Sequence, residues 1–227
     1  MEGTIEEEAM ERKKSEFVSN YEIAKQKTQK EFLKYDQEEM IQKWNLEADP
    51  NFIYMNFVGS DYRLDRNTGN VQGTNNQFLD TWEADYEETL TLYDLLCYAK
   101  KDAALSGSYV PMQNLSAVRN ASSYAGEGFF KAQEDFLDHR EVQLARACEA
   151  LHGVREGKGD VSYRIPVFDK LSMILQFWNS DEEFPASLQI YCDSNIVAYM
   201  HFETLWYLAS HVLGRIKIIV NNQDNIL

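Results

Sequence analysis

The first 35 residues carry a helical pattern of apolar and polar positions. Residues on the apolar side recur at three- and four-residue steps: Phe17, Tyr21, Ala24, Thr28, Phe32 and Tyr35. Because side chains at this spacing share one face of a helix, we predict a long amphipathic helix over residues 4–35. Glutamate and lysine cover its other face, so we expect it to pack on the domain that follows, with docking on another protein chain as the alternative.

A short helix and a small β meander are predicted next. The helix around Trp44 must end before Pro50, because the residue that precedes a proline is disfavoured in the helical conformation. Residues 52–58 are rich in aromatic and β-branched side chains, as strands are. Turns at Gly59 and Gly69 then reverse the chain twice, which predicts an antiparallel meander.

A buried helix is predicted in the middle of the chain. Asp85 and Glu88 have the spacing of a capping box, in which each side chain accepts a backbone hydrogen bond at the start of a helix. The residues that follow, up to Ala99, are apolar nearly all round, so we expect burial on more than one side. A short strand at 109–110 and two helices within 129–151 come next.

The last third of the chain changes to a strand pattern. Residues 161–165, 171–178 and 186–192 predict three strands with short connections, which is the pattern of a second antiparallel meander. A helix from Tyr199 to about Val212 should lie across the apolar face of the sheet. The predicted fold class is therefore α+β: an antiparallel sheet of short meanders packed against helices, with a long N-terminal amphipathic helix.

The length of 227 residues is compatible with one main core, since single cores grow up to about 250–300 residues. We predict an N-terminal helical extension over 1–48 and a single α+β domain over 49–227. The three cysteines, Cys97, Cys148 and Cys192, are widely spaced in apolar surroundings, so we expect reduced thiols rather than disulfides or a metal site.

The net charge of the chain restricts the classes of partner that we expect it to bind. With 37 acidic and 22 basic side chains the net charge is −15, so we expect binding neither to nucleic acid nor to an anionic membrane. The acidic start lacks the pattern of a signal peptide, and no apolar run reaches the roughly 18 residues that span a bilayer. We therefore expect a cytoplasmic protein.

Acidic side chains in the C-terminal part form one candidate site. The candidate ligand-binding or metal-binding residues are Asp181, Glu182, Glu183, Asp193, Tyr199 and Glu203. Grouped carboxylates would suit Mg²⁺ or Ca²⁺, or acid–base catalysis, which gives the alternative of an enzyme that depends on a hard cation. The competing interpretation is structural, with Asp181 in a turn and Asp193 capping a loop.

Aromatic side chains in the same part form a second candidate, a pocket for a small planar ligand. Its candidate residues are Tyr163, Trp178, Tyr191 and Trp206, which would otherwise belong to the core. His201 and His211 are ten residues apart and lack the spacing of a helical zinc pair, and no nucleophile motif is present. The leading hypothesis is a non-catalytic small-ligand-binding or accessory module, with no cofactor specified by the sequence.

Three segments resemble a known family. Residues 175–187, with Asp181-Glu182-Glu183-Phe184-Pro185-Ala186-Ser187 at their end, residues 105–110 and residues 57–62 are similar to domain-of-unknown-function family 3786. The resemblance covers about residues 52–213.

The resemblance implies little about activity, since none is established for the family. It places the chain with proteins of anaerobic bacteria and archaea, some of them fused to an iron–sulfur domain of the corrinoid-protein type, and so with anaerobic one-carbon or corrinoid metabolism. This chain lacks the cysteine cluster of such a domain, so no cluster is carried over. Gln113-Asn114 also replaces the Arg-Glu pair that is common in the family, which removes an anion-holding role there.

Overall fold

The computed structural model describes residues 23–115 and 128–224. The described part of helix α1 covers residues 23–32, and the helices that follow are α2 Gln37–Trp44, α3 Tyr86–Tyr98, α4 Lys131–Leu137, α5 Glu141–Ala150 and α6 Phe202–Asp224. The strands are β1 Glu47–Ala48, β2 Phe52–Phe57, β3 Ser60–Asp65, β4 Val71–Thr74, β5 Trp82–Glu83, β6 Tyr109–Pro111, β7 Val154–Arg155, β8 Val161–Phe168, β9 Leu171–Trp178 and β10 Ser187–Asp193. Residues 4–22 of the predicted first helix lie outside the described residues.

All ten strands belong to one antiparallel sheet. Its order is β5-β4-β3-β2-β8-β9-β10-β6, with β1 beside β2 and β7 beside β8. The two predicted meanders form β2 to β4 and β8 to β10 in the two halves of this sheet, and β5, which was not predicted, pairs with β4. The predicted α+β class is therefore confirmed.

The two halves of the sheet meet over a very short contact. Phe57 of β2 is paired with Phe168 of β8, and the amide of Val58 donates to the carbonyl of Val167 at 3.0 Å. The earlier part of β2 pairs instead with β1. The strands β2 and β8 therefore run beside each other only where both end, which the local sequence pattern did not predict.

The predicted capping box of α3 is confirmed. The amide of Glu88 donates to Asp85 Oδ1 at 2.8 Å, and the amide of Asp85 donates to Glu88 Oε2 at 2.8 Å. Each hydrogen bond satisfies an amide that the helix itself leaves free. The capping box thereby fixes where α3 begins, and with it the position of Glu88.

Helix α6 packs against α3 and α5. It continues to Asp224, well beyond the predicted end near Val212. Val212, Ile216 and Val220 are all buried, so the apolar face repeats at four-residue steps past the predicted end. The prediction was too short because Gly214 and Lys217 interrupt the apolar pattern in sequence, although both are exposed on the outer side of the helix.

The described part of α1 packs on the rest of the molecule, as expected. Phe32 is buried and its ring stacks on that of Tyr93, with centroids 5.4 Å apart. Lys25 Nζ donates to the carbonyl of Ala84 at 2.8 Å, and Trp44 Nε1 of α2 donates to the carbonyl of Leu95 at 3.1 Å. The division of the chain after residue 48 stays a prediction.

The three cysteines were predicted to be reduced thiols in apolar surroundings. Cys148 and Cys192 are free thiols in the core, and burial raises the pKa of each to about 12. Cys97 is a half-buried free thiol whose pKa burial also raises to about 12.

No helix in the described ranges combines the length and apolar character that crossing a membrane requires.

Candidate functional site

The predicted acidic turn forms its own hydrogen bonds. Asp181 Oδ1 accepts from the amides of Glu183 at 2.8 Å and Phe184 at 2.7 Å, and these bonds hold the pKa of Asp181 below its usual range. Asp181, Glu182 and Glu183 are all exposed, as is Glu203 in the first turn of α6. The carboxylate of Asp181 thus stabilises the turn between β9 and β10.

Asp193 at the end of β10 is buried and has a structural role. Its carboxylate accepts from the amides of Ser106 at 3.0 Å, Gly107 at 2.8 Å and Asn195 at 2.8 Å. Burial raises the pKa of Asp193, but these hydrogen bonds outweigh burial and hold the pKa below its ordinary value. The carboxylate therefore ties the loop before β6 to the end of β10.

The predicted carboxylates are not assembled into a metal centre. Within residues 23–115 and 128–224, no three His, Cys, Asp or Glu side chains are grouped in a way that could hold a metal ion. The hydroxyl of Tyr199 is used elsewhere, since it donates to the carbonyl of Ala103 at 3.0 Å. The alternative of an enzyme that depends on a hard cation stays a prediction.

The predicted aromatic pocket is also not formed as expected. The Tyr163 hydroxyl donates to Glu149 at 2.8 Å and the Tyr191 hydroxyl donates to Gln189 at 2.7 Å. Trp206 is buried and packs against Phe129, with ring centroids 4.5 Å apart. Trp178 is half-buried at the end of β9, and among the described residues no ring contact joins any two of these four side chains. A common wall for a planar ligand is thus not visible.

A different group of ionisable side chains lies beside a cavity between α3, α6 and the strands β4 and β5. The cavity has a volume of about 410 Å³, and its lining includes Trp82, Asp85, Glu87, Glu88, His211 and Arg215. A cavity of this size lies within the range that small-molecule sites occupy. Polar and charged groups at its wall make it the best candidate for a functional site.

Glu88 is the centre of this group. Its side chain is only 9% exposed, its Oε1 accepts from the Tyr62 hydroxyl at 2.5 Å, and its Oε2 accepts from the amide of Asp85. Burial raises the pKa of Glu88, although both hydrogen bonds act in the opposite direction. Burial also raises the pKa of Tyr62, so its hydroxyl stays protonated and remains a hydrogen-bond donor.

His211 lies next to Glu88 on α6. Its Nδ1 is 3.7 Å from Glu88 Oε1, and its ring stacks on Phe57 with centroids 4.8 Å apart. The pKa of His211 is lowered to about 4, mainly by burial; Asp85 opposes this shift and the positive charge of Arg215 adds to it. The imidazole is therefore neutral near pH 7.

Two polar atoms in this group have no partner. His211 Nε2 and Arg215 Nε are buried and form no hydrogen bond with any residue that the structure describes. Leaving a buried polar group unpaired costs about 1–3 kcal/mol, so such groups are uncommon in the interior of a folded protein. A bound molecule with hydrogen-bonding groups is one way in which this cost is removed.

Sequence reasoning assigned these residues other roles. Glu88 was predicted only as a helix cap, and His211 was considered only as a zinc ligand. A usable signal was the four-residue step from His211 to Arg215, which puts both on one helical face. That face also carries the apolar residues Leu208 and Val212, so the pattern contains two polar side chains beside a buried stripe.

We expect Tyr62→Phe to lower the free energy of unfolding by about 1–2 kcal/mol, because it leaves the buried Glu88 Oε1 without its donor. The matched control is Tyr54→Phe, whose hydroxyl donates to Asp49 at 2.8 Å nearer the surface. Urea unfolding of both variants measures the difference. Equal losses in the two variants would contradict a special role for the buried pair.

Comparison with protein-family profiles identifies the family of the chain. The sequence profile of the family described as Domain of unknown function (DUF3786) matches residues 36–215, which include helix α2 and both meanders. Neither the curated proteins nor the solved structures contain a significant match. Because the profile covers well over half of the 227 residues, the chain belongs to this family of unknown function.

Proposed function

We propose that the chain is a non-catalytic small-ligand-binding module and that its ligand occupies the cavity beside Glu88, His211 and Arg215. The observation that carries the proposal is the pair of unpartnered buried atoms, His211 Nε2 and Arg215 Nε, on residues that line a cavity of about 410 Å³. Cavities of this size with a few polar groups in their walls are typical of small-molecule sites.

The proposed ligand carries a carboxylate or a phosphate. A guanidinium group binds such oxyanions through charge-assisted hydrogen bonds, which are about twice as strong as neutral ones. The neutral imidazole of His211 supplies one donor or acceptor nitrogen to the same ligand. Trp82 adds an aromatic wall, since its indole lines the same cavity.

The hydrogen bonds and the burial of Glu88 favour a binding role over catalysis. Both of its oxygens already accept hydrogen bonds, one from Tyr62 and one from the helix cap. A general base must reach the proton of a substrate, and the Glu88 side chain is only 9% exposed, so its geometry supports positioning rather than proton abstraction.

The family resemblance adds corrinoid metabolism as a setting for the proposal. A whole corrinoid is much larger than a cavity of about 410 Å³, so in that setting the proposed ligand is a smaller carboxylate-bearing or phosphate-bearing metabolite. A corrinoid is therefore included in the test as a compound that we expect to give no stabilisation through this cavity.

A thermal-shift screen tests the proposal. The full chain is heated with small mono- and dicarboxylates, inorganic phosphate, nucleotides, flavins, a corrinoid and Mg²⁺. We expect at least one carboxylate or phosphate compound to raise the midpoint of unfolding, because a ligand at 100 times its Kd adds about 2.7 kcal/mol. We also expect Arg215→Gln to abolish that increase.

The matched control is Arg164→Gln, since Arg164 pairs with Glu156 at 2.7 Å on β8 and does not line the cavity. This variant should keep the full increase. The proposal is wrong if no compound in the screen stabilises the wild-type chain, or if the increase survives in Arg215→Gln.

A further inference from the structure

A second cavity lies where the two halves of the sheet separate. Its volume is about 440 Å³, and it is reached between β2 and the turn that joins β8 to β9. Five aromatic side chains line it: Trp44, Tyr54, Tyr62, Phe78 and Phe168. Tyr54 and Phe78 are half-buried, and the other three are buried. This cavity is distinct from the one beside His211, since none of the described residues lines both.

Hydrogen bonds and ring contacts hold these aromatic side chains in place. Trp44 Nε1 donates to the carbonyl of Leu95, and the Trp44 ring meets Phe168 edge-on with centroids 5.0 Å apart. The Tyr54 hydroxyl donates to Asp49, and its ring meets Phe78 edge-on at 5.8 Å. The walls are thus preorganised, which reduces the entropy that a ligand loses on binding.

Phe78 is placed in this wall by a strained loop. Gln77 and Phe78 have positive φ angles of 58° and 64°, a conformation that residues other than glycine rarely adopt. The loop is tied to the buried Thr74 hydroxyl, which accepts from the amide of Phe78 at 3.1 Å and donates to the carbonyl of Asp80 at 2.8 Å. Backbone strain of this kind clusters at functional sites.

The charges at this cavity are of one sign. Glu47, Asp61 and Asp169 line it, and none of its described lining residues is Lys, Arg or His. Asp61 accepts a hydrogen bond from Asn56, whereas Glu47 and Asp169 are exposed and form no ion pair with any described residue. Aromatic walls with an acidic rim attract a positive charge, because the face of an aromatic ring is electronegative.

Two cations of the chain itself lie on neighbouring faces of these rings. Lys170 Nζ is 5.8 Å from the centroid of Trp44, and the Arg63 guanidinium carbon is 5.0 Å from that of Phe78. Arg63 is also held by Gln72, with its Nη2 donating at 2.8 Å. Neither cation lines the cavity, so among its described lining residues the charged groups are all acidic.

From this combination we propose that the cavity binds a quaternary ammonium group. A methylated ammonium ion brings apolar surface to the half-buried rings of Tyr54 and Phe78 and positive charge to Glu47 and Asp169. A hydrated metal ion is a poorer fit, because aromatic rings offer no oxygen ligands to replace its water. The inference is independent of the proposed function, since it concerns different side chains.

The test is isothermal titration calorimetry of the full chain with choline and with neohexyl alcohol, the uncharged analogue in which carbon replaces nitrogen. We expect choline to bind roughly tenfold more tightly than the alcohol, since the cation–π attraction acts only on the charged compound. Arg215→Gln should leave choline binding unchanged, which separates this site from the other cavity.

Two pairs of variants locate the binding site. Phe78→Leu and Asp169→Asn should each weaken choline binding at least about threefold. Asparagine tolerates the positive φ of 43° at residue 169, so that variant keeps the turn. The matched controls, Phe184→Leu and Glu182→Gln, change exposed residues of the β9–β10 turn and should bind choline as the wild type does.

The inference is overturned if choline does not bind, or if choline and neohexyl alcohol bind equally well. It is also overturned if Phe78→Leu and Asp169→Asn both bind choline with wild-type affinity. The unfolding midpoints of the variants without ligand verify that each one is folded before it is titrated.

Discussion

Asp193→Ala is expected to lower the free energy of unfolding by about 3–4 kcal/mol. The Asp193 carboxylate is 2% exposed and accepts hydrogen bonds from the amides of Ser106, Gly107 and Asn195. Alanine leaves these amides without their acceptor, and each unpaired buried donor costs about 1–3 kcal/mol, less where water can enter. The loop before β6 should also lose its fixed position, because it is held to β10 through this carboxylate.

Asp181→Ala is the matched control for this effect. Asp181 also accepts hydrogen bonds from two backbone amides, those of Glu183 and Phe184, but its side chain is exposed. Water replaces the carboxylate there, so the loss should stay below about 1 kcal/mol. Chemical denaturation of both variants measures the difference, and similar losses would contradict the structural role that burial gives to Asp193.

Acidification from pH 6.5 to pH 4 is expected to remove roughly 3 kcal/mol of stability through His211. Its pKa is lowered from 6.5 to about 4, and each pKa unit corresponds to about 1.4 kcal/mol. In this pH range the unfolded chain gains a proton on His211 that the folded chain does not accept. The contribution is therefore fully present above pH 6.5 and is lost as the pH falls towards 4.

Charged and titratable groups beside His211 also affect stability, so the contribution of the histidine must be isolated by comparing variants. Glu88 has a raised pKa, so its contribution is present below its unfolded pKa and is lost as the pH rises through its folded pKa. Asp85 and Arg215 also face His211 and affect its charge. The difference between the wild type and His211→Gln isolates the histidine, while the exposed His152 serves as a control in His152→Asn. Parallel pH profiles for the wild type and His211→Gln would contradict the prediction.

Local sequence patterns predicted most of the elements of this fold. The capping box at Asp85 and Glu88 and the turns at Gly59 and Gly69 depend on neighbouring residues, so they are visible in the sequence. The pairing of Phe57 with Phe168 joins residues more than a hundred positions apart, and no local pattern encodes it. Both cavities lie near long-range contacts of this kind and were therefore missed.

The candidate residues illustrate the same limit of local reasoning. Asp181 and Asp193 were considered as ligands because acidic residues cluster in that part of the sequence, yet each accepts hydrogen bonds from the backbone. For Asp193 two of the three donors lie before β6, far away in the sequence. Glu88 meets His211 across α3 and α6, and burial then changes the pKa of both. Burial of a charged group follows from tertiary packing and cannot be predicted from the residues next to it in the sequence.

The central claim is that His211 lies in a buried cluster at the wall of a ligand-binding cavity. The chain has four histidines, so selective ¹⁵N labelling of histidine gives a simple NMR spectrum in which His211→Gln identifies the His211 signals. We predict that these signals do not titrate between pH 8 and pH 5, and that they shift when the stabilising carboxylate or phosphate compound is added. Signals that titrate near pH 6.5 and do not respond to any compound in the screen would contradict the claim.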